Sequence, residues 1–242
     1  MLFTAEDIAR AVKQTNFNKG LGPDGFDGNV LTKSPELHDK VCFDIAAALN
    51  RGVIPDHLKI GRMVALSKRK GSSIASSKEV RHIAILSHLS KVIEKAILDK
   101  IVETKSELLK TKLYQHGFKR GKGTQECIAK VLGMRSKGRL LFVDLEKAFD
   151  KVNRHQLLRV LQDRCKDERD KHLVDLIRSL LSNTKALFGD ILVETNTGVP
   201  QGGVLSPLLF NIYLEEALKM KELLWKAASS QRLMAYADDL VI

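Results

Sequence analysis

Two groups of aspartates directly follow short apolar segments of the chain. Asp144 comes after the apolar run 140–143, and Asp238 and Asp239 come after the segment 233–237. If both segments are strands, these carboxylates lie at the rim of a buried sheet, where they repel one another. A hard divalent cation removes that repulsion, and Mg²⁺ typically binds one or two carboxylates together with substrate phosphates. The pattern therefore indicates metal-assisted phosphoryl transfer, although paired aspartates are also common in turns.

Three other segments contain residues that could contact a substrate, and each also has a purely structural interpretation. Phe149 follows Asp144 by five positions and on spacing alone is typical of a core aromatic residue. The turn-rich segment 198–203 is typical of a strand-to-helix loop, with Ser206 as the cap of the next helix. The basic segment 68–70 is typical of a solvated loop.

Helices and a few short strands must hold these residues in place. Thr4 with Asp7 forms a capping-box pattern, and Ser34 with Pro35 indicates a second helix start. This mixture predicts an α+β fold without a second domain joined by a linker. Apolar periodicity predicts helices around 8–12, 37–48, 89–101, 157–161, 173–180 and 209–224 and one after Thr124, a strand at 60–67, a short strand at 81–86, a buried strand at 139–144, and hairpins at 187–193 and 234–242.

Composition narrows the class of partner. The 242 residues include 40 Lys and Arg against 29 Asp and Glu, a net charge of +11, and 44% are hydrophobic. That apolar content supports a sizeable core and excludes a disordered chain, while the charge favours nucleic acid over a small-molecule substrate. No apolar run approaches a membrane span and no targeting signal is visible, so we expect an intracellular location and no membrane partner. The three cysteines show neither zinc-site nor disulfide spacing.

Three motifs occur together in an order and at separations that resemble reverse transcriptases. The resemblance is closest to retrotransposons without long terminal repeats, followed by group II intron maturases. The motifs are Phe-Val-Asp-Leu-Glu-Lys-Ala-Phe-Asp at 142–150, Gly-Val-Pro-Gln-Gly-Gly-Val-Leu-Ser-Pro at 198–207 and Tyr-Ala-Asp-Asp at 236–239. Shorter similarities extend the resemblance over nearly the whole chain, at 22–25, 81–94 and 115–124.

The resemblance implies the fingers and part of the palm of a right-hand polymerase, with an antiparallel palm sheet and packed helices. Residues from 1 to about 138 would form the fingers with early palm elements, and residues 139–242 the palm. The family's further palm segments and thumb are absent, so we expect a continuation or a partner chain to supply them. Without such cover, the apolar residues 240–242 are expected to leave an unpaired sheet edge.

The resemblance also assigns roles within a catalytic site. It makes Asp144 and Asp238 ligands of two Mg²⁺ ions, which Mn²⁺ could replace, with Asp239 as a catalytic residue beside them. It places Phe149 under the sugar of the incoming nucleotide, where the ring would exclude a 2′-hydroxyl. The remaining nucleotide-binding positions are Gln201 and Gly202, which lie near template and nucleotide in the family, and Lys68 and Arg81, which hold the triphosphate. The chain departs from the family pattern where His82 and Ser67 replace the usual prolines.

The implied function is an RNA-directed DNA polymerase that binds an RNA template, a DNA or RNA primer and deoxynucleoside triphosphates. Two alternatives stay open. The first is a non-enzymatic nucleic-acid-binding or scaffold protein derived from a reverse transcriptase and inactive alone because it is truncated. The second is an RNA-dependent RNA polymerase, against which Phe149 argues.

Overall fold

The computed structural model describes residues 1–67, 80–106, 108, 114–119, 121–133, 139–221, 224, 226–227 and 232–242. Lys68 lies outside the described residues. The helices are α1 (Ala5–Gln14), α2 (Val30–Lys33), α3 (Pro35–Asn50), α4 (His88–Glu103), α5 (Thr124–Gly133), α6 (Arg154–Arg164), α7 (Glu168–Leu181) and α8 (Ser206–Lys219), with a 3₁₀ turn at Asp56–Lys59. The strands are β1 (Ile60–Ser67), β2 (Val80–Ile85), β3 (Phe142–Asp144), β4 (Lys185–Phe188), β5 (Ile191–Glu194), β6 (Met234–Tyr236) and β7 (Asp239–Val241).

Side-chain caps define several helix starts, as the sequence predicts. The Thr4 hydroxyl accepts from the Asp7 N–H, and the Asp7 carboxylate accepts from the Thr4 N–H, which completes the capping box of α1. Ser34 caps α3 ahead of Pro35. Each cap gives an otherwise unpaired N–H of the first turn a hydrogen-bond acceptor, so the helix begins at a defined residue.

A four-stranded sheet, in the order β2-β1-β4-β5, contains the expected hairpin of β4 and β5. β1 pairs antiparallel with β2 and parallel with β4, so that Gly61 lies beside Ala186. The parallel pairing joins segments far apart in sequence. It brings the β4–β5 hairpin, which leads into the 198–203 loop, into one sheet with β2, the strand that carries Arg81.

The second sheet has three strands, in the order β3-β7-β6, and is antiparallel throughout. β6 and β7 form the predicted hairpin, and β7 lies in the centre of the sheet. The expected unpaired edge at 240–242 is therefore wrong, because β7 pairs with a strand on each side and Leu240 is buried.

The strand that carries Asp144 is shorter and more exposed than predicted. Residues 142–144 form β3, and Phe142 is 71% exposed, so the prediction of a buried strand over 139–144 is wrong. β3 lies at the edge of its sheet, and successive side chains of a strand point to opposite faces. Consequently Val143 packs against the core while Phe142 and Asp144 lie on the exposed face.

One continuous apolar core joins the helices to the three-stranded sheet. It includes the buried side chains of Ile97, Leu161 and Leu173 from α4, α6 and α7 and of Phe210 from α8. The architecture is α+β, as predicted. Among the described residues, no helix combines the length and the apolar character that crossing a membrane requires.

Candidate active site

The three predicted aspartates meet where β3 ends beside the β6–β7 hairpin. Asp144 and Asp239 are paired neighbours in the antiparallel register of β3 and β7. Asp238 lies in the turn of the hairpin, and its carbonyl accepts a hydrogen bond of 3.3 Å from the Leu145 N–H. Directly opposed residues of antiparallel strands have Cβ atoms about 5 Å apart on one face. The two separate motifs therefore place their carboxylates at one point of the fold.

A cleft of about 690 Å³ opens beside these aspartates. It is bounded by β2, the turn after β3, the loop before α8 and the β6–β7 turn. Of the predicted site residues, the cleft is lined by Arg81, Asp144, Phe149, Gln201, Gly202 and Asp238. Asp239 does not line it and instead lies beside Asp144 in the sheet. Three charged lining residues, Glu146, Lys147 and Asp150, were not predicted as site residues.

The donor set at the cleft suits a hard divalent cation. Asp144 and Asp238 both line the cleft and offer carboxylate oxygens, the ligands that a hard divalent cation prefers. Within the described ranges, no group of three or more His, Cys, Asp or Glu side chains could hold a metal ion. One or two carboxylates, with waters and substrate phosphates completing the coordination, are typical of Mg²⁺ sites, so the residues fit such an ion.

Phe149 packs against core aromatic residues, as its spacing predicts, and also lines the cleft, as the family resemblance implies. Its ring stacks on Phe210 with centroids 4.7 Å apart and planes at 17°, and it meets Phe118 edge-on at 6.1 Å. Its backbone carbonyl accepts from the Val199 N–H at 2.9 Å, which fixes the turn after β3 to the 198–203 loop. The ring is half-buried and still lines the cleft. Core packing on one side therefore holds the ring rigid at the cleft wall.

The loop carrying Gln201 and Gly202 packs directly on β2. The Ala84 N–H donates to the Gln201 carbonyl at 2.8 Å. Gly202 has φ +137°, and a Cβ at this position would lie 2.3 Å from the Ala84 carbonyl oxygen. Only glycine allows both this backbone conformation and this approach. The Gln201 Nε2 lies 3.5 Å from Asp150 Oδ1 on the other side of the cleft.

Glu94, on α4, forms a hydrogen bond to the segment that joins the 198–203 loop to α8, a role that the sequence did not indicate. Its buried carboxylate accepts from the Leu205 N–H at 2.8 Å, ahead of the first turn of α8. The predicted cap of this helix by Ser206 is wrong, because the helix begins at Ser206 and its N-cap residue, Leu205, makes no side-chain cap. A carboxylate from α4 takes the place of a local cap. Burial raises the pKa of Glu94 to about 7, against the lowering effect of its hydrogen bonds from Leu205 and Val204.

The raised pKa of Glu94 predicts a specific pH dependence of stability. Folded protein holds the Glu94 proton up to about pH 7, whereas the unfolded chain releases it near 4.5. This contribution is therefore fully present below pH 4.5 and is lost as the pH rises to about 7. Relative to Glu94→Gln, the unfolding free energy of the unaltered chain should fall over this interval by on the order of 3 kcal/mol.

Denaturant unfolding of both proteins at several pH values measures this difference. Glu36→Gln, which removes a carboxylate from the exposed first turn of α3, is the matched control and should track the unaltered chain. Parallel pH profiles for the unaltered chain and Glu94→Gln would contradict the assignment.

Arg154 is a second supporting residue that no sequence signal identifies. Its Nε donates to the Gly198 carbonyl at 2.7 Å, and the two hydrogens of its Nη1 are shared among three oxygens at 2.7 Å, the carbonyls of Leu181 and Thr195 and the Thr184 hydroxyl. Burial lowers its pKa. Because a guanidinium presents five donors in a fixed plane, one side chain holds several backbone segments that converge on the 198–203 loop.

Comparison with known proteins identifies a family model and several relatives that match this chain. The family model for reverse transcriptase (RNA-dependent DNA polymerase) matches residues 67–242. The chain is 24% identical, over 99% of its length, to an RNA-directed DNA polymerase from mobile element jockey of Drosophila funebris, and covers 27% of it. It is 31% identical, over 60% of its length, to the group II intron-encoded protein LtrA of Lactococcus lactis subsp. cremoris, and covers 24% of it. The chain thus spans about a quarter of the length of these relatives.

Two solved structures share the fold at low sequence identity. A partial Cas6-RT-Cas1–Cas2 complex matches with a TM-score of 0.51 and 17% identity, covering 99% of this chain and 37% of that one. The apo telomerase of Candida tropicalis, truncated from its C-terminal domain, matches with a TM-score of 0.50 and 16% identity, covering 78% and 44%.

The family model, together with the shared fold, places the chain among nucleic-acid polymerase domains. Within that class, the chain belongs to the reverse transcriptase family, whose model covers nearly three quarters of it. The predicted resemblance to retrotransposons without long terminal repeats, and next to group II intron proteins, is confirmed by the relatives.

Proposed function

We propose that the chain provides the catalytic centre of an RNA-directed DNA polymerase, which adds deoxynucleotides to a primer 3′-hydroxyl along an RNA template. The observation that carries this proposal is the single cleft lined by Asp144, Asp238, Phe149 and Gln201. These residues come from three separate family motifs. The fold brings them together although 94 positions separate Asp144 from Asp238.

The aspartates serve as metal ligands in this proposal. Asp144 and Asp238 hold two Mg²⁺ ions, or Mn²⁺ in their place, and Asp239 adds negative potential from its position beside Asp144. Bound divalent ions activate the attacking hydroxyl and stabilise charge on the leaving oxygen in phosphoryl transfer. The exposed Asp144 carboxylate is free to bind without breaking a structural hydrogen bond among the described residues.

The remaining cleft residues orient the nucleotide and template. The Arg81 guanidinium, exposed on β2, supplies positive charge for the triphosphate. The Phe149 ring lies under the sugar of the incoming nucleotide. Gly202 lets the loop pack closely on β2 and lines the cleft beside nucleotide and template, and Gln201 lies next to it to contact the templating strand. The assignment of Lys68 to the triphosphate remains a prediction.

The partners and the domain division follow from family membership and charge. A net charge of +11 favours a polyanionic partner, here an RNA template with a DNA or RNA primer. We further propose that residues from 1 to about 138 form the fingers with early palm elements and residues 139–242 the palm, with further palm and thumb elements supplied by a continuation or a partner chain.

Primer extension tests the proposed function. The protein is incubated with Mg²⁺, deoxynucleotides and a primer annealed to RNA, alone and with the C-terminal palm and thumb of a retrotransposon relative supplied separately. RNA-templated extension in either reaction is the expected result. Duplex binding without extension in both reactions would contradict the proposal and favour a non-enzymatic binding protein. Extension with ribonucleotides only would favour an RNA polymerase.

A further inference from the structure

The side chain of Gln115 forms hydrogen bonds with the backbone of the turn that contains Asp238. Its Nε2 donates to the Ala237 carbonyl at 3.1 Å, and its Oε1 accepts from the Ala237 N–H, also at 3.1 Å. The same Oε1 accepts from the Gly117 N–H at 2.8 Å. Gln115 is only 3% exposed, so these hydrogen bonds form away from water. One amide thus binds both polar groups of the residue preceding a proposed metal ligand.

The turn needs such support because its backbone is unusual. Ala237 has φ +56°, a conformation that costs a residue with a Cβ about 1 kcal/mol or more, and the residue is buried. A buried N–H or C=O without a partner is costly as well. The amide of Gln115 satisfies both groups in this conformation and therefore favours the turn over other backbone states.

The segment around Gln115 is itself fixed to the hairpin. The His116 N–H donates to the Ala235 carbonyl, and the Ala235 N–H donates to the Tyr114 carbonyl, both at 2.8 Å. Gly117 approaches so closely that a Cβ there would lie 2.2 Å from the Ala237 nitrogen. Gln115 therefore acts from a backbone that is held against β6.

Asp238 is tied on its other side to the strand that carries Asp144. Its carbonyl accepts from the Leu145 N–H, while the preceding residue, Ala237, is bound by Gln115. The pairing of β7 with β3 and β6 fixes the strands, and two further connections, from the Leu145 N–H and from Gln115, fix the turn that carries Asp238. Loss of the Gln115 connection would leave the backbone of Ala237 without its side-chain partner and let the turn shift relative to Asp144.

We propose that Gln115 is a positioning residue, which holds Asp238 in the geometry that lets it bind metal together with Asp144. This inference rests on the proposed function, since it assumes that the two aspartates share a divalent cation. A glutamine suits the role because its amide offers a donor and an acceptor side by side. Methionine has similar size without either, and asparagine is one methylene too short to reach Ala237.

The affinity of the chain for Mn²⁺ alone tests the inference without requiring turnover. The electron paramagnetic resonance signal of the free ion measures how much Mn²⁺ is bound. Gln115→Met and Gln115→Asn should each weaken Mn²⁺ binding about 10-fold, the loss typical of removing an outer-shell partner of a metal ligand. The Ala237 amide should also exchange with solvent at least ~10-fold faster, because it loses its acceptor.

Asn50 provides a matched control. Its side-chain amide makes the same two hydrogen bonds to the backbone of a buried residue. It accepts from the Phe3 N–H at 3.0 Å and donates to the Phe3 carbonyl at 2.7 Å. Phe3 and Asn50 lie outside the set of residues that line the cleft. Asn50→Leu should therefore lower the melting temperature but leave Mn²⁺ affinity and Ala237 exchange unchanged.

The outcomes separate the inference from the function on which it rests. Mn²⁺ binding that disappears in Asp144→Asn but stays within twofold of the unaltered chain in both Gln115 variants would overturn the role of Gln115 alone. Mn²⁺ binding that survives Asp144→Asn would contradict the proposed metal site itself. If Gln115→Met fails to fold, the Mn²⁺ affinity of Gln115→Asn tests the role of Gln115, since asparagine retains a polar side chain in the same place.

Discussion

Asp144→Asn and Asp238→Asn should each reduce the rate of nucleotide addition by about 10³-fold or more, because each removes a carboxylate that we propose as a ligand of a catalytic metal ion. Both residues line the cleft, and asparagine keeps their size while it removes the charge. The melting temperature should stay constant or rise, since Asp144 is exposed and the change relieves repulsion between neighbouring carboxylates. Primer extension and thermal unfolding of the same preparations measure both quantities.

Two further substitutions serve as comparisons. Asp239→Asn should have a smaller effect, about 10-fold, because Asp239 does not line the cleft and acts on the site through charge alone. Asp190→Asn removes a carboxylate from the exposed β4–β5 turn and should leave the rate unchanged. Extension near the unaltered rate in Asp144→Asn or Asp238→Asn would show that these residues are not the metal ligands.

Local sequence signals predicted most of the elements that carry the site. The capping box at Thr4, the serine and proline that begin α3 and the hairpin around Asp238 depend on neighbouring residues only, and the structure confirms them. The family motifs predicted which side chains share the cleft. Six of the eight predicted site residues line it, while Asp239 lies beside Asp144 and Lys68 falls outside the described residues.

Long-range pairing accounts for part of what the sequence did not predict. The parallel contact of β1 with β4 joins residues 125 positions apart, for example Gly61 and Ala186, and no periodicity within either strand indicates it. The central position of β7 likewise depends on β3, nearly one hundred residues earlier. β3 was mistaken for a buried strand because a continuous apolar run does not show which of its faces is covered.

The supporting residues were missed for a related reason. Gln115, Arg154 and Glu94 all direct their side chains at backbone groups of distant segments. A backbone N–H or C=O has the same chemistry at every residue, so its partner leaves no complementary residue type in the sequence. Even a glutamine within a motif that resembles the family could not be given a role until its partner, Ala237, was known.

Phe149 is the residue for which sequence spacing and family resemblance give different answers, and one substitution separates them. Phe149→Ala should increase the use of ribonucleotides relative to deoxynucleotides by about 10-fold or more, because removal of a ring that blocks a 2′-hydroxyl relieves a steric clash worth at least ~1.4 kcal/mol in the transition state. Phe149→Tyr should retain the discrimination, since the ring stays in place. Competition between the two nucleotide types in primer extension gives the ratio directly.

The ratio matters more than either rate, because Phe149→Ala also removes core packing. Its ring stacks on Phe210, so the alanine variant should lose roughly 1–3 kcal/mol of stability, less than a fully buried phenylalanine. Phe210→Leu perturbs the same stack from a buried position outside the cleft lining and should destabilise the fold without admitting ribonucleotides. A loss of stability affects both nucleotide types alike, whereas a loss of steric exclusion affects one. Equal discrimination in Phe149→Ala and the unaltered protein would therefore leave Phe149 as a packing residue and assign sugar selection to another part of the cleft.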